Sequence, residues 1–182
     1  MQDYINKILK YREKFKVINL NYNDIDSIKE VVLKALGLTN INQLRDKYEG
    51  VSFYQNFSSR ISGVIALEKL LGINLIDWDN LSAKNYKPSL SINDIQVDVI
   101  TASDRDFPVI NTRNENPAII VLRPQEKSLW ICGYASTEIL NHNQNDNLLK
   151  GLLSNKNNET AFTGFDKLRS FESFEDLQKL VN

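Results

Sequence analysis

Two acids in this chain stand where a carboxylate costs free energy unless something pairs with it. Glu68 lies in a stretch, Ser58 to Leu71, whose apolar residues recur at helical spacing. With successive residues about 100° apart, Ile61, Val64, Ile65, Leu67 and Leu71 form one broad apolar arc, and Glu68 projects between Ile61 and Val64. Burying an unpaired carboxylate costs several kcal/mol, so such a residue needs an Arg or Lys, backbone donors or a metal ion. A salt bridge to Arg60 or Arg105 is the structural alternative to a metal-binding or catalytic role. The second acid, Asp98, falls in a region where the period changes from helical to alternating and Ile, Val and Thr are enriched.

The elements that would position Asp98 follow from a hairpin signal. Leu90 and Ile92 are separated from Ile95, Val97 and Val99 by Asn93-Asp94, two residues that tolerate positive φ and suit a primed two-residue turn. Closing the hairpin there pairs Ile92 with Ile95, Leu90 with Val97 and Ser89 with Asp98. Ser89, Ser91, Gln96, Asp98 and Ile100 then share one face, and the apolar residues from Leu90 to Val99 share the other.

Upstream the chain reads as helices. Tyr4, Ile5, Ile8, Leu9 and Phe15 form the apolar face of a first helix whose other face carries Lys7, Lys10, Arg12 and Lys14, a stripe that is either a solvated surface or a phosphate-binding one. A second helix is expected from the Ser27/Glu30 capping-box spacing to a stop at Gly37, a short third from Ile41 to Tyr48 ending at Gly50, and the fourth, with Glu68, closes at Gly72. Downstream, strands are expected at Ala118 to Arg123 and Leu129 to Gly133, a helix capped by Ser136, and a last helix from Ser173 with Asp176 three residues on. Asn141 to Asn158 reads as a long loop around a short Leu148 to Leu153 segment. The sum is an α/β (α+β) domain with a mixed sheet flanked by helices: a helical part at 1–57, a core at 58–140, and a loop with a final helix at 141–182.

Composition narrows the function classes. The 182 residues are 42% hydrophobic and 25% charged, enough for one domain with a real core. Twenty-two Lys+Arg against 23 Asp+Glu give a net charge of -1, so any contact with nucleic acid must come from a local patch. Met1 to Lys16 has no apolar signal region, and runs such as Ala118 to Leu122 are too short to span a bilayer, so a cytoplasmic protein of a bacterial or phage-infected cell is expected. One cysteine, Cys132, and one histidine, His142, exclude an internal disulfide and the usual zinc arrangements. There is no phosphate-cradling Gly-rich loop, no G-x-S-x-G elbow and no H-E-x-x-H motif. Asp77-x-Asp79 begins like a calcium loop, but Ser82 replaces its glycine and Pro88 its final glutamate. Trp130, Cys132 and Tyr134 alternate as strand-packing residues.

Gly63 to Glu68, then Pro88-Ser89 leading into a hairpin that ends Val97-Asp98-Val99-Ile100-Thr101, then strand, turn, strand and Gly133-Tyr134-Ala135, resembles the PD-(D/E)XK nuclease-like superfamily. The likeness covers residues 58–140 and is nearest to small phage or mobile-element members. It implies a restriction-endonuclease-like fold and a site in which carboxylates gather Mg²⁺ to activate water at a phosphodiester, with a lysine assisting. Carried over, Glu68 takes the place of the helix glutamate and Asp98 that of the triplet acid, and these two would hold Mg²⁺ weakly. Ser89 stands for the Asp after Pro88, and Ile100 for the Lys. Nowhere in the chain is an Asp or Glu followed two residues later by Lys. Lys87, Lys84 or Lys127 would have to supply a migrated amine, and Asp94 or Asp104 a migrated acid. Three expectations result: a diverged Mg²⁺-dependent endonuclease acting on DNA, a catalytically inactive module of the same fold that binds nucleic acid or protein, and an unrelated structural or homo-oligomeric protein.

Overall fold

The computed structural model describes residues 2–103, 106–149 and 158–181. Its centre is a five-stranded mixed sheet in the order β1-β6-β5-β3-β2. The strands are β1 (Lys16–Asn19), β2 (Ser89–Ile92), β3 (Ile95–Ser103), β5 (Ala118–Gln125) and β6 (Ser128–Ala135). Neighbours are antiparallel except β3 and β5, which run parallel from Asp98↔Ala118 to Ser103↔Arg123. The mixed α+β class expected from the sequence is therefore the observed one.

The hairpin closes in the expected register, with Ser89 opposite Asp98 and Ile92 opposite Ile95. Asn93 and Asp94 both take positive φ, 50° and 62°, as a primed turn requires. Alternation along β3 then decides what lies on each side. Val97 and Val99 join Ile119, Val121 and the long helix α3 (Gly50–Leu71) in one core. Ile100 and Ala102 join Ile120, Leu122, Phe107 and Phe162 in a second core on the opposite face. That second core is covered by a smaller antiparallel sheet, β4 (Val109–Asn111), β8 (Glu159–Phe162) and β7 (Gln144–Asn145), and by the amino-terminal helix α1 (Gln2–Lys7).

Where α3 crosses β3 the approach is close. A Cβ on Gly63 would stand 2.1 Å from Thr101 Oγ1 and 3.3 Å from Val99 Cγ1, so only glycine fits that turn of the helix. Gly133 in β6 has φ 140°, and a Cβ there would meet the Arg169 carbonyl at 2.8 Å; its neighbour Tyr134 exchanges both backbone hydrogen bonds with Arg169.

Several element boundaries differ from the expectation. The second helix, α2 (Tyr22–Leu36), starts five residues before Ser27, because Asn21 and Asp24 form the capping box: Asp24 N–H donates to Asn21 Oδ1 at 2.9 Å and Asn21 N–H to Asp24 Oδ2 at 2.7 Å. Ser27 and Glu30 lie within it, and Gly37 stops it with φ 67°. The expected third helix is only a 3-10 turn, Ile41–Arg45, and Gly50 opens α3 instead of ending a helix. Beyond α1 the first segment also tightens into a 3-10 turn, Leu9–Lys14, and then becomes the edge strand β1. Helix α4 (Thr137–His142) is capped by Ser136 and α5 (Phe174–Leu180) by Ser173, as expected. Part of the expected 141–158 loop pairs as β7; the Leu148 to Leu153 segment is described only as far as Leu149.

Candidate functional site

Glu68 sits at the carboxyl end of α3, half-buried, and its partners are backbone donors. Oε1 accepts from the N–H groups of Leu75 at 2.6 Å and Ile76 at 2.8 Å, in the irregular stretch that follows the helix, where there is no ladder to join. Its charge also reaches Tyr86, whose phenol is pushed upward, first by burial and then by Glu68. Asp98 is served from elsewhere: Gln96 Nε2 donates to Oδ1 at 3.2 Å, and Asn116 Nδ2 lies 3.5 and 3.4 Å from its two oxygens. Because α3 packs on the Val97, Val99 and Thr101 face, Asp98 and Ile100 project from the other side of the sheet.

The structure thus brings Ser89 and Asp98 together across the hairpin but, among the described residues, gives Glu68 and Asp98 no common partner. Among the described residues no three His, Cys, Asp or Glu side chains gather in a way that could hold a metal ion. The donor set implied by the resemblance does not fit Mg²⁺: one carboxylate is occupied by main-chain N–H groups and the other points away from it. Lys87 and Lys84 are exposed in the loop before β2, and Asp94 is in the turn. Lys127 places its ammonium 3.5 Å from the Tyr22 ring centroid. Asp104 and Arg105 lie outside the described residues; Arg60 is exposed on α3. Asp77, the first position of the calcium-like spacing, accepts from Asn80 side-chain and backbone N–H groups, which hold its carboxyl below the usual range.

A cleft of about 920 Å³ opens at the other end of β3. It lies beyond the carboxyl ends of the parallel pair β3 and β5, roofed by the first half of α3, which is where ligands collect in open sheets with parallel strands. Its apolar wall is Ile100, Phe107 and Val109, and its polar groups include Ser58, Ser59 and Arg123. Arg123, the last residue of β5 in register with β3, is half-buried. Its Nε and Nη2 donate to the Glu126 carbonyl at 3.1 and 2.9 Å, and its Nη1 donates to Ser58 Oγ at 3.0 Å. Burial disfavours its charge, while Glu126 and Tyr54 support it. Tyr54, one turn before Ser58, has its phenol raised by burial and then by Glu126. Sequence reasoning missed this site. The residues are scattered through α3, β3 and the end of β5; Ile100 is singled out in another role, and Arg123, a cation ending an apolar strand, carried a signal.

The amino-terminal stripe becomes a second feature. Arg12 stacks its guanidinium 4.2 Å above the Trp130 ring centroid, and the Lys10 and Lys14 ammonium groups stand 4.7 and 5.6 Å from that of Tyr11. Lys16 on β1 pairs with Glu172. Cys132 is buried beneath this face, donates to the Trp130 carbonyl at 3.5 Å, and has its thiol pushed up by burial. Among the described residues no helix is long and apolar enough to cross a membrane.

No protein-family model, curated protein or solved structure matches the chain.

Proposed function

We propose that the chain is a non-catalytic binding module, of the restriction-endonuclease-like type that its motif spacing suggests, and that DNA is its partner. The observation that carries the reading is the clustering of Lys7, Lys10, Arg12 and Lys14 on one short segment, with the Arg12 guanidinium over the Trp130 ring. An ammonium or guanidinium on an aromatic face keeps its charge outward while its stem is fixed, which suits phosphate contacts made without base readout. The overall charge of -1 limits binding to this local face, so affinity is expected to be modest and steeply salt-dependent. Cleavage forms no part of the reading, because Glu68 is engaged by Leu75 and Ile76.

Fluorescence anisotropy with a labelled duplex across a salt series tests it. The wild type is expected to bind, with a log-log salt slope that shrinks by about one for each of Lys10→Ala and Lys14→Ala. Absence of binding at low salt, or a slope unchanged in both variants, overturns the proposal. Plasmid nicking by the wild type in Mg²⁺, abolished by Glu68→Gln, would replace it with the endonuclease reading.

A further inference from the structure

The cleft at the carboxyl ends of β3 and β5 has no part in the proposed DNA face, and its arginine is only partly satisfied. A guanidinium offers five N–H donors. Arg123 uses three of them, on the Glu126 carbonyl and Ser58 Oγ, which leaves two without an acceptor among the described residues. All its acceptors are neutral, and no carboxylate among the described residues lies within ion-pair distance of it, although the group is half-buried. A partly desolvated cation held in one orientation by neutral acceptors is arranged to receive an anion, since the ordering that a bidentate contact needs is already in place. The surroundings are of mixed charge. Ser59 and Ser103 offer hydroxyls and Arg60 a second cation, Asp106 and Glu126 add two acids to the lining, and Phe107, Ile100 and Val109 supply an apolar wall.

We infer that this cleft binds a small anionic molecule, its phosphate or carboxylate group on Arg123 and an uncharged, largely apolar body against Phe107 and Ile100. A volume of about 920 Å³ admits a ligand of nucleotide size and excludes little below it. Glu126 competes for the same charge through space, since it is the leading influence that supports the Arg123 cation.

Titration of the full chain with four probes tests the inference: inorganic phosphate, adenosine monophosphate, adenosine and succinate, read by the Arg123 Nε–H resonance and by thermal midpoint. The expected result is that adenosine monophosphate shifts the resonance and raises the midpoint, while adenosine, which lacks the anion, does neither. Succinate or inorganic phosphate binding in place of adenosine monophosphate would refute the role of the apolar wall, since neither carries an uncharged body to lie on it. Arg123→Lys, which keeps the charge and loses the fork, is expected to weaken binding about tenfold or more. Glu126→Gln leaves the backbone acceptor in place and is expected to tighten it severalfold, an outcome that a purely structural Arg123 would not produce. No response of the Arg123 resonance to any anion at millimolar concentration, or equal affinity in Arg123→Lys, overturns the inference.

Discussion

Replacing Glu68 separates a structural carboxylate from a catalytic one. Glu68→Ala leaves the Leu75 and Ile76 N–H groups without the oxygen that now accepts from both, at 2.6 and 2.8 Å. A hydrogen bond to a charged group is worth about 1.5–3 kcal/mol, but both donors are only half-buried and water can replace part of each contact. The expected loss is about 2–3 kcal/mol for Glu68→Ala and about 1 kcal/mol for Glu68→Gln, which keeps the acceptor and drops the charge. Urea unfolding reads this as a lower midpoint at constant slope, about 1–1.5 M lower for Ala if the slope is about 2 kcal/mol/M. Amide exchange should accelerate at Leu75 and Ile76 before it does in the sheet. A Glu68→Ala protein as stable as the wild type would refute the argument. So would a midpoint that Mg²⁺ raises in the wild type and not in Glu68→Gln, because the carboxylate would then be serving a metal.

Gly63→Ala gains about 1 kcal/mol of helix propensity but drives a methyl to 2.1 Å from Thr101 Oγ1. Overpacking of about 1–3 kcal/mol should win, and the sign should reverse in a Thr101→Ala background, where the obstructing oxygen, buried with no partner among the described residues, is gone; chemical denaturation of the four proteins checks it. Asp94→Gly removes the strain of φ 62° and should stabilise by about 0.5 kcal/mol, with hairpin cross-peaks from Ser89 to Asp98 unchanged. Cys132 should resist a disulfide reagent at mild alkaline pH and react at once in urea, since burial both blocks access and pushes its thiol up; fast native labelling would contradict its place in the second core.

Much of the fold follows from local signals in the chain. Period-2 alternation with Asn93-Asp94 between the strands determines the hairpin and its register, because a slip of one residue would turn Val97 and Val99 out of the core. Gly37 and Gly72 end their helices in the left-handed region, and Ser136 and Ser173 begin theirs, each by chemistry within four residues. Glu68 was legible as a carboxylate needing a partner, and backbone donors were among the partners its position allowed. Which partner it took was not legible, since Leu75 and Ile76 come back to it only when the chain after α3 turns along the sheet. The same limit applies to β1, an edge strand whose four residues have a ladder only because β6 lies beside them. It applies most of all to the two sides of the sheet. Alternation tells which residues of β3 oppose each other in facing, but only the packing of α3 against Val99 and Thr101 puts Asp98 on the opposite side from that helix. The cleft is likewise a product of long-range pairing. Ser58 and Arg123 are 65 residues apart in the chain and meet only because β5 runs parallel to β3 beneath the first half of α3.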